Sequence, residues 1–182
     1  MPLVLLDRDG VLNVDREDSV KTPGELVMLP GAAAAVARLN ATGRLVAVCT
    51  NQSVIGRGLI DEAMLVLIHH KLKGELAKAG ARLDAIFHCS DAPGHAGPRR
   101  KPAPGMLFEA MRRFGVAPEE TVMIGDALSD LEAASAAGCR RILLRCGQGA
   151  GTQAAGLPRH VLPVAIHEDL GAAVDALLDS AA

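Results

Sequence analysis

Tryptophan and tyrosine are absent from this 182-residue chain, and Phe87, Phe108 and Phe114 are its only aromatic residues. Proteins that hold single-stranded nucleic acid stack bases on aromatic rings, so that partner class finds little here. Charge of one sign is lacking too. The 19 lysines and arginines face 21 aspartates and glutamates, a net charge of −2, without the basic excess of a dedicated nucleic-acid binder. Phosphate binding, where it occurs, has to be local. Cysteine is sparse: Cys49, Cys89, Cys139 and Cys146 show no Cys-x-x-Cys spacing. With no charged N-terminal segment leading into a long apolar run, a reducing cytoplasm is the expected setting. No apolar run reaches the ~18 residues that cross a bilayer, so a membrane role has no support. At 49% apolar residues, Ala, Leu, Val and Gly foremost, the chain has enough material for an aliphatic core. Its length suits one domain over residues 1–182, expected to work as a monomer.

Leu3 to Leu6 form a short apolar run of the kind that makes a strand buried on both faces, and Asp7-Arg8-Asp9-Gly10 follows at once. In extended backbone the i, i+2 spacing points Asp7 and Asp9 to one side, and Arg8 to the other as a structural residue. The next stretch, Val11 to Leu29, is mixed and charged, with a Thr22-Pro23-Gly24 turn, and reads as a flap over the mouth of a sheet. A helix over 32–42 is expected to stop at Gly43, and Leu45 to Cys49 to form a second strand ending in Thr50-Asn51-Gln52-Ser53. Met64, Leu67, Ile68, Leu72 and Leu76 recur at helical spacing through Asp61 to Lys78. The His69-His70 pair in that helix diverges by about 100° and reads as solvated or core-edge packing.

Leu83 to Cys89 reads as a third strand, followed by a loop from Ser90 to Arg100 and then Lys101-Pro102. Pro104 opens a helix ending at Gly115. Thr121 to Ile124 is a fourth strand broken by Gly125-Asp126, a helix follows as far as Gly138, and Arg141 to Leu144 is a fifth strand. Beyond it, Gly147 to Gly151 reads as a flexible loop, Val161 to Ile166 as a short edge strand with Pro163 inside it, and Asp169 to Leu178 as a closing helix. Alternating strands and helices predict an α/β architecture: a doubly wound, Rossmann-like parallel sheet in three αβα layers.

Such a sheet places ligands at the carboxyl ends of its strands. Asp7 and Asp9, Thr50 and Asn51, Lys101, and Asp126 with Asp130 all sit at those ends or in the loops after them. Carboxylates gathered there repel by about 4 kcal/mol per pair at about 4 Å and an effective dielectric near 20, so either protons or a cation must join them. A hard divalent ion with oxygen ligands answers this, and magnesium suits the donor set better than zinc.

Taken in order, Asp7-Arg8-Asp9-Gly10, Thr50-Asn51, Lys101-Pro102 and Gly125-Asp126-Ala127-Leu128-Ser129-Asp130 resemble the four signature motifs of the haloacid dehalogenase superfamily of phosphohydrolases. The resemblance implies that Asp7 takes the phosphoryl group as an aspartyl-phosphate and that Asp9 is the general acid and base. It implies a magnesium site made by Asp7, the Asp9 carbonyl and Asp126. Thr50 and the Asn51 backbone N–H would bind phosphoryl oxygens, with Lys101 screening charge and Asp130 steadying Lys101. Only 40 residues lie between Asp9 and Thr50, and the flap and one helix occupy them, so a capless member with loop inserts is expected.

Within the capless branch, Asp7 to Asp15, Leu29-Pro30-Gly31, Thr50-Asn51-Gln52-Ser53, Arg57-Gly58 and the Arg100 to Met106 stretch resemble the 7-phosphatases of D-glycero-D-manno-heptose 1,7-bisphosphate, near relatives of the histidinol-phosphate phosphatases. By that resemblance the substrate is a sugar phosphate on the nucleotide-heptose route to lipopolysaccharide, contacted by Asp15, Arg16, Glu17, Asp18, Gln52, Ser53, Arg57 and Arg100. Paired guanidinium groups suit a second phosphate. The family's zinc loop, with two cysteine pairs, is here a short stretch with Cys89 alone beside His88, Asp91 and His95, so no structural zinc is expected. Asp18 also stands where the family has a flap tyrosine. Three other readings remain open: a histidinol-phosphate or other small-molecule phosphatase, a polynucleotide 3′-phosphatase, and a non-catalytic phosphate-binding domain.

Overall fold

The computed structural model describes residues 2–179. Six parallel strands make one sheet in the order β3-β2-β1-β4-β5-β6, formed by β1 (Leu3–Leu6), β2 (Leu45–Asn51), β3 (Ala85–Cys89), β4 (Thr121–Gly125), β5 (Arg140–Leu144) and β6 (Ala165–His167). The central pair is in register, with Leu3 opposite Thr121 and Leu6 opposite Ile124. Chain order reverses between β1 and β4, and that switch opens a crevice just beyond Asp7.

Side-chain alternation divides the core in two, because neighbours along a strand face opposite ways. Val4, Leu6, Val46, Val48, Val122 and Ile124 pack on one face with α1 (Ala32–Ala41), α3 (Glu62–Lys78) and α7 (Leu170–Asp179). Leu3, Leu5, Ala47, Cys49 and Met123 pack on the other with α4 (Gly105–Phe114) and α5 (Leu128–Ala136). The result is the doubly wound αβα arrangement expected, and the flap is anchored to it: Val11, Leu12, Val20 and Leu26 are buried in the first core. Val14 N–H donates to the Val27 carbonyl at 2.8 Å and Leu29 N–H to Leu12 at 2.9 Å, closing the flap as a loop with its tip at residues 15–19.

Several boundaries differ from expectation. β2 runs on through Thr50 and Asn51, held by pairing to His88 and Cys89 of β3. A short helix, α2 (Ser53–Gly56), follows it. The stretch read as a flexible loop is α6 (Gly149–Ala154). Gly-Ala-Gly is a poor helix former, but Thr152 Oγ1 donates to the Asp126 carbonyl at 3.0 Å and Gln148 N–H to Asp126 Oδ2 at 2.7 Å, so tertiary bonds override propensity. Pro163 lies before β6, so the edge strand begins at Ala165. Among the described residues no helix is long and apolar enough to cross a membrane.

Candidate active site

Asp7 is the first residue past β1, and its own N–H still donates to the Ile124 carbonyl of β4 at 3.0 Å. Its Oδ1 accepts the Arg8 N–H at 2.7 Å and lies 3.0 Å from Lys101 Nζ. Lys101 reaches it from the loop before α4, 3% exposed, and donates at 2.6 Å to the fully buried Asp130. The backbone of Lys101 is clamped by one side chain: Asn51 Nδ2 donates to its carbonyl at 2.9 Å, and Asn51 Oδ1 accepts its N–H at 3.1 Å. Asp130, in the first turn of α5, uses its second oxygen to cap that helix at Ala127 N–H, 3.1 Å away.

Asp126 closes the group, since Asp7, Asp126 and Asp130 each offer a carboxylate oxygen, all within 4.8 Å of one another. Asp130 is committed to Lys101 and its cap, which leaves Asp7 and Asp126 as the side chains able to hold a cation. Burial pushes the Asp7 carboxyl up to about 7, with Lys101 pulling it down and Asp130 and Asp9 adding to the rise. Burial and the neighbouring Asp7 push Asp126 up to about 8, against the Gln148 N–H. Lys101 moves the other way. Burial lowers its proton affinity, but Asp130 and Asp7 more than offset that and keep the ammonium charged. Two raised carboxyls with oxygen donors, and no thiolate or imidazole among them, fit a hard divalent cation such as magnesium.

The Asp9 carboxylate is not in that cluster. It accepts from Arg8 Nη2 at 2.8 and 3.0 Å, from Asn13 Nδ2 at 2.9 Å and from Gln52 Nε2 at 2.8 Å. Burial acts against ionisation there, but the Arg8 guanidinium with Asn13 and Gln52 holds the carboxyl below its usual range. Its assignment as a metal ligand therefore rests on the backbone carbonyl. Arg8 is fully buried and does not line the cavity, as expected of a structural residue, and its guanidinium curls onto Asp9 at the turn where Arg8 O accepts from Leu12 and Asn13.

A cavity of about 230 Å³ lies over these groups, lined among others by Asp7, Asp9, Asp15, Asn51, Lys101, Asp126, Ser129 and Gln148. Thr50 is buried, its Oγ1 accepting from Gln52 at 2.9 Å. Gln52 is turned inward onto Thr50 and Asp9. Asp15 accepts from Gln148 Nε2 at 3.0 Å across the mouth. Arg16, Glu17, Asp18, Ser53, Arg57 and Arg100 do not line the cavity. Arg16 and Lys21 pair with Asp18 at 3.1 and 2.5 Å, Arg57 donates to Ser19 Oγ at 3.2 Å, and Arg100 to the Asp91 carbonyl at 2.7 Å.

Sequence reasoning missed Gln148 and the roles of Asn13 and Ser129. Their only signal was position, next to a strand end or inside a motif. His69, read as incidental, lies 3.5 Å from Arg8, whereas His70 is exposed. His88, Cys89, Asp91 and His95 do not gather into a ligand group. His88 meets Glu62 at 2.9 Å and Asp91 Oδ2 accepts the Gly97 N–H at 2.8 Å.

Asp7 facing a buried lysine beside two further carboxylates, at the switch point of a doubly wound sheet, suits the metal-assisted cleavage of phosphate esters, and the comparisons with known proteins place the chain among such phosphohydrolases. Residues 98–173 match the HAD-hydrolase-like family model. The chain is 43% identical over its full length, and that of the relative, to the D-glycero-beta-D-manno-heptose-1,7-bisphosphate 7-phosphatase of Bordetella bronchiseptica. It is 40% identical to the enzyme of that name from Pseudomonas aeruginosa, over 97% of both chains. The crystal structure of the D,D-heptose 1,7-bisphosphate phosphatase from B. bronchiseptica, complexed with magnesium and phosphate, superposes with a TM-score of 0.94 at 42% identity over 99% of each chain. The chain belongs to this family of heptose bisphosphate phosphatases within the HAD-like hydrolases.

Proposed function

We propose that the chain hydrolyses a phosphate monoester with magnesium, and that its substrate is D-glycero-D-manno-heptose 1,7-bisphosphate, from which it removes the 7-phosphate on the route to nucleotide-activated heptose and lipopolysaccharide. In this reading it works as a single cytoplasmic domain and a monomer, on a small molecule, without a nucleic-acid or membrane partner. The observation that carries it is the buried Lys101 ammonium bridging Asp7 and Asp130 beside Asp126. The names of its full-length relatives supply the substrate.

The mechanism follows from the donors and acceptors present. Asp7 attacks phosphorus and the bond from phosphorus to the sugar oxygen breaks; Asp9, which Arg8 holds ionised in the free site, takes up the proton that enters on the phosphate monoanion and gives it to that oxygen. Asp9 then takes a proton from water as the water attacks the aspartyl-phosphate, releasing inorganic phosphate and restoring both carboxyl groups. Lys101 offsets the charge that builds on the phosphoryl oxygens, with Thr50 and Asn51 beside it as hydrogen-bonding groups. Asp7, Asp126 and the Asp9 carbonyl would hold magnesium, whose charge reduces the repulsion between the nucleophile and a phosphate dianion.

Arg57 and Arg100, on loops outside the cavity, are the cations that would receive the second phosphate, which favours a bisphosphate over histidinol phosphate. The test is magnesium-dependent phosphate release from sugar bisphosphates, histidinol phosphate and 3′-phosphorylated oligonucleotides. The heptose bisphosphate is expected to give the highest kcat/KM. Preference for histidinol phosphate or an oligonucleotide would overturn the substrate, and no release from any would overturn the activity.

A further inference from the structure

Arg8 is among the largest fully buried side chains of the protein, and a guanidinium cannot shed its charge to suit a dry site. Its Nε and Nη2 donate to Asp9. The partner of Nη1 is His69 Nε2, 3.5 Å away on α3. That helix is seated by Ile68, Leu72 and Leu76, all fully buried, so packing delivers the imidazole to Arg8. Beyond it the His88 ring stands edge-on at 6.0 Å and is itself occupied by Glu62 at 2.9 Å.

We propose that His69 is a positioning residue for phosphoryl transfer, its Nε2 accepting from Arg8 Nη1 and so fixing the guanidinium on which the Asp9 carboxylate rests. The inference depends on the reading of Asp9 as general acid and base. An arginine nitrogen only donates, so Nε2 must carry the lone pair and the ring must be neutral, with its proton on Nδ1. Burial, then the charges of Arg8 and His88, push His69 down to about 3, consistent with a neutral ring. Because His69 does not line the cavity, losing the acceptor should disturb the proton transfer and leave substrate binding alone.

The test uses the magnesium-loaded full chain and the bisphosphate substrate. His69→Phe keeps a ring without an acceptor, and His69→Gln keeps an acceptor without a ring. His69→Phe should lower kcat about tenfold with KM within about twofold, while His69→Gln stays within about threefold of the parent. In an Arg8→Met background, His69→Phe should change kcat less than about twofold, since its route of action is gone. A full kcat for His69→Phe, an equal loss for His69→Gln, or an undiminished loss in the Arg8→Met background overturns the proposal. Should the variants not fold, ¹⁵N spectra of the parent decide it: a lone-pair Nε2 at neutral pH supports the contact, and a protonated Nε2 removes it. Asp9→Asn separates the two claims. If it turns over normally, the acid–base reading fails; if it is inactive while His69→Phe is fully active, only the inference about His69 fails.

Discussion

The floor and the rim of the cavity are built on different terms. On the floor, Asn51 holds Lys101 across 50 residues of sequence, Lys101 holds Asp130 across 29, and Asp126 is held from Gln148 across 22. Asn51 ends β2 and Asp130 lies in the first turn of α5, Lys101, Asp126 and Gln148 lie in the connections between elements, and Lys101, Asp126 and Asp130 are buried, so the sheet and the helices docked on it set their geometry. At the rim, Arg16 and Lys21 pair with Asp18 two and three residues away, and the Asp18 side chain is 59% exposed. Exposed pairs of that kind contribute about 0–1 kcal/mol, whereas stripping a partner from a buried charge costs about 3–5 kcal/mol. In the proposed function the reaction is thus tied to the fold, and the selection of substrate falls to loops that can change without unsettling it.

That contrast can be tested from its strongest point downward. Asp7→Asn should reduce kcat by about a thousandfold or more, because the nucleophile is lost. By thinning the acidic cluster it should also raise the melting temperature of metal-free protein at pH 8. Normal turnover would break the assignment of the floor. Asp130→Asn leaves Lys101 one anionic partner and weakens the α5 cap, and urea unfolding should show a loss of about 3 kcal/mol together with a large fall in kcat.

Metal removal gives the next effect. Asp7 and Asp126, raised to about 7 and about 8, keep protons in the folded chain that the unfolded chain releases near pH 4. Metal-free protein should therefore lose stability as pH rises from about 4 to about 8. Magnesium should raise the melting temperature by about 5 °C at pH 8 and hardly at all at pH 5, where protons compete for the same oxygens. A magnesium shift that is equal at both pH values would dissociate these two carboxyls from the metal.

Rim changes should be smaller and confined to KM. Arg100→Ala should raise KM about fivefold to tenfold for the bisphosphate and little for a monophosphate, with kcat held; equal effects on both would remove Arg100 from recognition. Asp18→Ala should alter stability by less than about 0.5 kcal/mol, and a larger loss by urea titration would show the rim to be coupled to the floor.

How much of this could be read in the sequence follows the same division. The parallel sheet, Asp7 and Asp126 were legible because both carboxylates sit at the end of an apolar run, where periodicity and position carry the information, and Lys101 was legible from the Lys-Pro motif after its loop. Asp130 was legible from its place in a motif. The grip of Arg8 on Asp9 was not legible, because it forms in the turn where Arg8 O accepts from Leu12 and Asn13, beyond the strand pattern. Gln148 and α6 were missed because Gly147 to Gly151 has no helical pattern of its own and takes its shape from Asp126. His69 lies 61 residues from Arg8, and no local pattern marks such a contact. The sheet and the acidic cluster are written in short-range patterns, and the positioning contacts in tertiary packing.

Asp126 is gripped between two bare backbones. A Cβ at Gly10 or at Gly147 would stand 2.1 Å from Asp126 Oδ2, and both glycines hold positive φ, +77° and +54°. Neither position can take a methyl group without displacing that carboxylate. Engineering for new substrates therefore has two closed positions against Asp126, and variation has to enter from the flap and the surrounding loops.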